Sequence, residues 1–274
     1  MSELPSRSRM PRMSDRLADN LQRVTEEIST ACAHAGRSPS DVTLIAVTKY
    51  AELSWMRGLV ELGVRDLAES RPQQLIERAT EVSVRGAGFQ PAKTNGCNES
   101  GQVENVPHVR WHMIGHLQRN KVKPLLPRTA LIHSVDSLRL LERIAEIAAE
   151  LSLRPRVLLE INVSGESAKD GFSIADLTSQ WDALQAVPNV DIVGLMTMAP
   201  LTADPEAARP VFSSLRQLRE ELTTRAAPHV KLTELSMGMS GDFVVAIEEG
   251  ATLVRIGSRL FEGLEDGHSC PSLP

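Results

Sequence analysis

Eight short β-rich runs recur along this chain, separated by stretches of helical periodicity, and this alternation constrains the fold more than any other feature. The runs lie at residues 43–48, 64–68, 110–115, 130–135, 156–163, 191–198, 231–236 and 253–257. They are rich in Val, Ile and Leu, as strands buried on both faces require. Between them, residues 54–62, 72–80, 137–151, 174–186, 205–225 and 242–249 carry apolar side chains at helical spacing. Alternation of this kind builds a parallel sheet covered by helices. Eight strand–helix units in 274 residues match the size of a (β/α)8 barrel. The expected fold is therefore α/β, a single-domain (β/α)8 TIM barrel. A doubly wound open sheet fits the same alternation and stays open as the alternative.

A leading helix precedes the first strand. Leu17, Leu21, Val24, Ile28 and Ala31 share one face over residues 17–35, with Ser14 placed as an N-cap and Gly36 as a stop. Residues 83–107 break the rhythm. They are rich in Gly, Asn, Gln, Ser and Thr without apolar period, and read as an inserted flexible loop. A helix-to-strand connection lies on the N-terminal face of a barrel, so this loop is expected to take no part in chemistry. The expected organisation is a flexible N-terminus over 1–13, a barrel over 14–265 and a flexible tail over 266–274.

Several function classes are excluded at this stage. Thirty Lys and Arg against 35 Asp and Glu leave a net charge of −5, which argues against nucleic-acid or anionic-membrane partners. The apolar runs are too short to span a bilayer, and the basic N-terminus lacks the apolar core of a signal peptide. Cys32, Cys97 and Cys270 form no CxxC pair, which fits a reducing cytoplasm and neither a disulfide framework nor a zinc site. No His, Cys or carboxylate cluster has metal spacing, so no metal is expected.

Barrel chemistry sits at the C-terminal ends of the strands. The first strand delivers Lys49, which by alternation shares the face of Ile45 and Val47. If that face points inward, an amine at the mouth of an apolar tube is suited to Schiff-base chemistry with an aldehyde; the alternative is a lysine reaching out to solvent. After the seventh strand, Ser236, Gly238, Met239, Ser240 and Gly241 form a run of small residues and free amides, an anion cup ahead of a helical pattern. Gly257 and Ser258 make a second such turn after the eighth strand, and loops 7 and 8 are the usual phosphate site of these barrels. Closure sets strand 8 beside strand 1, and so Lys49 beside the cup. A ligand with an aldehyde and a phosphate suits the pair: pyridoxal 5′-phosphate (PLP), or a sugar phosphate in a class I aldolase. Arg255 shares parity with Gly257 and is expected inside. There it either faces a pyridine nitrogen and keeps it unprotonated, or pairs with Glu160 or Glu234.

Longer strings then match a known family. AVTK at 46–49, WHMIGHLQRNK at 111–121, IHSVD at 132–136, EIN at 160–162 with KDG at 169–171, GLMTM at 194–198, LSMGMSGD at 235–242 and VRIGS at 254–258 occur in order. With these the chain resembles the pyridoxal phosphate homeostasis proteins, single-domain barrels related to the alanine racemase N-terminal domain. The resemblance implies PLP bound covalently through Lys49, with Ser240 and the Gly257–Ser258 turn on the phosphate and Arg255 near the ring nitrogen. It further implies a carrier or buffer of PLP, acting in vitamin B6 homeostasis without established turnover. Two departures stand out: Ala68, Glu69 and Ser70 replace the family's usual Gly-Glu-Asn, and residues 83–107 stand where the family has a short connection; Ser258, where Thr is frequent, keeps the hydroxyl.

The competing reading is a PLP-dependent racemase or decarboxylase. A racemase of this fold uses a second base, a tyrosine from another domain. The lone tyrosine, Tyr50, directly follows Lys49 and should face the opposite way, and too few residues follow Gly257 for a further domain. Trp111 and His112 are expected as packed or hydrogen-bonded groups, Met196, Met198, Met237 and Met239 as barrel filling, and Arg119, Lys121 and Lys123 as a solvated face. Apo-enzymes that need PLP are the expected recipients, and a monomer is expected over an obligate dimer.

Overall fold

The computed structural model describes residues 13–83, 109–166, 170–200 and 202–264. The expected termini and nearly all of the 83–107 insertion, together with Cys97, Lys169 and Cys270, lie outside the described residues. Eight parallel strands close into a barrel in sequence order. They are β1 (Thr43–Val47), β2 (Asp66–Glu69), β3 (Arg110–Met113), β4 (Leu131–Val135), β5 (Arg156–Glu160), β6 (Asp191–Met196), β7 (Glu234–Ser236) and β8 (Leu253–Ile256). β1 pairs with β8 from Thr43↔Leu253 to Ala46↔Ile256, which closes the cylinder and removes the open-sheet alternative.

Around it run α2 (Leu53–Glu61), α3 (Pro72–Ser83), α4 (Val122–Leu125), α5 (Leu138–Leu151), α6 (Ile174–Gln185), α7 (Arg209–Thr224) and α8 (Phe243–Glu248). The leading helix, α1, is described over Met13–His34, so Ser14 lies within it. Gly36 ends it as expected: its φ of +64° suits a residue without Cβ, and the Arg37 N–H reaches back to the Cys32 carbonyl at 2.8 Å.

Alternation along the strands produces two apolar compartments. Leu44 and Ala46 face the helices, in the same layer as Leu67, Trp111, Ile132, Leu159, Leu195 and Leu235. Ile45, Ala68, Leu131, Leu158, Met196 and Leu253 fill the barrel interior, with Val47, Ile114 and Val193 against them. The interior is not wholly apolar. Asp66, His112, His133, Glu160, Ser236 and Arg255 share the inward parity and are all buried.

Several strands stop earlier than their composition suggests. β5 ends at Glu160 because the chain turns to meet Phe172, whose N–H donates to the Glu160 carbonyl at 2.8 Å while its own carbonyl accepts from Asn162. β3 ends at Met113, and β7 begins at Glu234 rather than Lys231.

Candidate functional site

Lys49 leaves the barrel at its C-terminal mouth. β1 ends at Val47, and residues 48–51 form a turn closed by the Ala51 N–H on the Thr48 carbonyl at 2.8 Å. The turn breaks strict alternation. Lys49 is exposed, and its Nζ lies 5.0 Å from the centre of the Tyr50 ring, so Tyr50 is not directed away from it. The base of the turn is clamped from outside the barrel. Arg78 on α3 donates to the Thr48 carbonyl, to the Ala51 carbonyl at 3.1 Å and to the Glu69 carboxylate at 2.5 Å. Thr48 Oγ1 donates to the same carboxylate at 2.5 Å. Glu69 is fully buried, and both donors meet the same oxygen, Oε1.

The turns after β7 and β8 meet beside that lysine. The Gly257 N–H donates to Ser240 Oγ at 3.2 Å, which joins the two turns. A Cβ on Gly257 would come within 3.1 Å of the Val47 carbonyl oxygen, so β8 passes close against the end of β1. Gly238 has φ +91°, and a Cβ there would stand 2.5 Å from that of Ala246; only glycine lets the chain turn beneath α8. Asp242 takes the Met239 N–H at 2.6 Å and thereby shapes the loop. Among the described residues, the backbone N–H groups of Ser240, Gly241 and Ser258 have no protein acceptor. Free amides around a hydroxyl make a cup for an anion such as phosphate.

Arg255 lies inside the barrel mouth and is fully enclosed. Its guanidinium donates to Ser236 Oγ at 2.6 Å and to the Thr197 carbonyl at 3.0 Å. Burial pulls it down to about 10, opposed by the charges of Glu160 and Asp242. Neither expected ion pair forms. Glu234 instead accepts from Arg156 at 3.2 Å and from Thr252 at 2.8 Å. Ser236 meets Arg255 inside the barrel, and the amide of Met239 is committed to Asp242. Lys49, Gly238, Ser240, Gly257 and Ser258 stand around one mouth.

The opposite rim is acidic. His116, Asp136 and Asp170 follow β3, β4 and β5, and each offers a ligand atom within 4.8 Å of the others. His116 Nδ1 is 3.2 Å from Asp136 and 3.7 Å from Asp170. These residues are distant in sequence, so spacing could not reveal the cluster. Beneath them Glu160 is pushed up to about 7, first by burial and then by the Asp136 and Asp170 carboxylates.

His112 is buried and hydrogen-bonded as expected, but sequence reasoning missed its pairing with His133, the Glu69 contacts and Arg78. The IHSVD string pointed to His133 without a role. Arg78 lies on a helix face with no local signal that it reaches the lysine turn. Of the methionines taken as filling, Met196 and Met237 are buried, whereas Met198 is exposed. Lys123 pairs with Glu150 at 2.7 Å on the solvated face.

Known proteins share this architecture. The model of the alanine racemase N-terminal domain matches residues 14–264. The pyridoxal phosphate homeostasis protein of Aquifex aeolicus is 37% identical over 243 residues, covering 89% of this chain and 96% of the relative. The human protein of the same name is 31% identical, covering 88% and 84% respectively. PipY of Synechococcus elongatus, solved with PLP bound, is 32% identical with a TM-score of 0.72, covering 89% of this chain and 99% of PipY. An alanine racemase of Clostridium difficile shares the fold alone, at 18% identity and a TM-score of 0.63, with 57% of its length covered. By its barrel, its mouth and these likenesses, the chain belongs to the pyridoxal phosphate homeostasis proteins of the alanine racemase N-terminal domain family.

Proposed function

We propose that this chain holds PLP on Lys49 and serves the homeostasis of that cofactor rather than a catalytic turnover. The observation that carries the reading is the junction of the β7 and β8 turns. Three free amides and the Ser240 hydroxyl lie where Gly257 passes against the end of β1, two residues before Lys49. That arrangement fits a phosphate with an aldehyde at its side. When bound, PLP would supply an aldehyde, a group that the Lys49 amine is suited to hold.

The residues of the chain have separate tasks. Ser240, Gly241 and the Gly257–Ser258 turn bind the phosphate through N–H and O–H donors. Gly238 and Met239 shape that loop, the former by its backbone conformation and the latter through Asp242. Arg255 keeps a donor toward the ring nitrogen, and Ser236 holds Arg255. A permanent cation at that nitrogen leaves the ring a poor electron sink, which supports holding over turnover. The relatives' shared name supports the same reading.

Purified protein loaded with PLP should absorb near ~420 nm, as a lysine-bound cofactor does, and Lys49→Ala should abolish the band. A protein that cannot be loaded would refute the reading. Steady racemisation or decarboxylation of added amino acids, well above free PLP, would favour the enzyme alternative. Transfer of the cofactor to an apo-enzyme in the presence of a competing trap tests the carrier role.

A further inference from the structure

Inside the barrel a hydrogen-bonded chain runs from the mouth to the opposite end. Arg255 on β8 donates to Ser236 Oγ on β7 at 2.6 Å. Ser236 Oγ lies 2.8 Å from His133 Nδ1 on β4, a link across the lumen. His133 Nε2 is 2.9 Å from His112 Nδ1, and His112 Nε2 is 3.0 Å from Asp66 Oδ1. Arg110 then grips Asp66 at 2.7 and 2.5 Å and is itself largely exposed, lining a cleft of about 400 Å³ at the base of the barrel.

The two ends settle the direction of the links. Arg255 has donors only, so Ser236 Oγ accepts from it. Burial pushes the Asp66 carboxyl up, but its hydrogen bonds to His112 and Arg110 hold it below its ordinary value, so it is ionised and accepts only. Between these ends each neutral imidazole has one N–H and one bare nitrogen. His133 is held well below the ordinary histidine value, above all by burial. With one hydrogen on each ring, one assignment leaves no hydrogen stranded. His112 donates from Nε2 to Asp66, His133 donates from Nε2 to His112, and Ser236 donates its hydroxyl hydrogen to His133 Nδ1.

We infer that His133 is a positioning residue: held in its Nε2–H form by His112 and Asp66, it takes the Ser236 hydroxyl hydrogen and leaves the oxygen lone pairs of Ser236 to fix Arg255 at the ring-nitrogen position. The inference rests on the PLP reading for the group that Arg255 meets. The groups that face this chain are Asp66 from β2, Arg110 from β3, Glu160 from β5 and Asp242 from the turn after β7. β1 and β6 present apolar Ile45 and Met196, together with the Thr197 carbonyl.

Two measurements test it. In the ligand-free wild-type protein, nitrogen-15 NMR of the histidines should find His133 with a bare Nδ1 and a protonated Nε2; a hydrogen on Nδ1 overturns the inference. In the PLP-loaded protein, His133→Leu should move the pH midpoint of the absorption band by ~1 unit, through the altered contact of Arg255. His133→Asn, which keeps an oxygen near the Nδ1 position, should restore it. Ser236→Ala should add nothing to His133→Leu, because the two act through one link. An unchanged midpoint in His133→Leu, or additive effects in the double variant, overturns the inference. If wild-type protein takes up no PLP, the cofactor reading falls separately, and the NMR result alone upholds or overturns the direction of the chain. NMR on the wild type also serves should His133→Leu not fold.

Discussion

Glu160 shows how much one side chain inherits from the barrel. It is 5% exposed, and no hydrogen bond reaches its carboxyl among the described residues. Its value of about 7 stands above the ordinary 4.5, so the folded chain retains a proton that the unfolded chain releases. Stability from this group is therefore fully present below pH 4.5 and is lost as pH rises toward 7. Glu160→Gln should leave stability near pH 4.5 almost unchanged and raise it at pH 8 by roughly 1–3 kcal/mol. Urea unfolding at the two pH values measures this, and equal shifts at both would contradict it. Arg78 presents the reverse case, a charge whose removal strands a buried partner. Arg78→Ala leaves Glu69 with Thr48 alone and should cost roughly 3 kcal/mol in denaturant unfolding, with a loosened Lys49 turn. Lys49, Gly257 and Ser240 were legible because a strand end and small-residue turns are local patterns. Glu69 and His133 were not, since their partners come from α3 and from β7.

At the level of elements, strand parity carried most of the expectation. It set Arg255 inward, and Arg255 is buried on the face that Leu253 fills. Parity lapsed where a strand ended sooner than its composition, as in the turn at 48–51 that brings Tyr50 to Lys49. α4 was missed for a related reason. Four residues containing Pro124 are too short to show a helical period. Close approach between strands was equally hidden. A Cβ on Gly194 would stand 1.9 Å from the Glu234 carbonyl oxygen, so β6 and β7 pair only because that position is glycine. Gly194→Ala should destabilise the fold by roughly 3 kcal/mol, read from the denaturation midpoint; a neutral substitution would show that β6 can shift.

For the whole molecule, closure is the decisive event. It joins β1 to β8 and brings the lysine turn to the phosphate-type cup. α1 then packs Leu17, Val24, Ile28 and Ala31 against the helical layer. It is tied down by Asn20 donating to the Leu260 and Glu262 carbonyls at 3.0 Å each. Asn20→Ala should cost about 1–2 kcal/mol in thermal or urea unfolding while leaving PLP loading intact, because these bonds lie on the outside of the barrel. Among the described residues, the large exposed apolar side chains, Tyr50, Leu62, Leu153, Ile174 and Met198, come from five separate segments. Apolar groups scattered singly are normal on a protein surface. No helix among the described residues is long and apolar enough to cross a membrane.

The amino-acid sequence by itself determined the class of fold, the extra leading helix and which residues stand at the strand ends. Those rest on local periodicity, on side-chain alternation and on small-residue turns, which neighbours in the chain set between them. Only the tertiary structure decided what happens across the lumen: the chain from Asp66 to Arg255, the acidic rim of His116, Asp136 and Asp170, and the clamp on Lys49. Each joins residues far apart in sequence, and their mutual distance exists only after the barrel has closed and fixed which strand faces which.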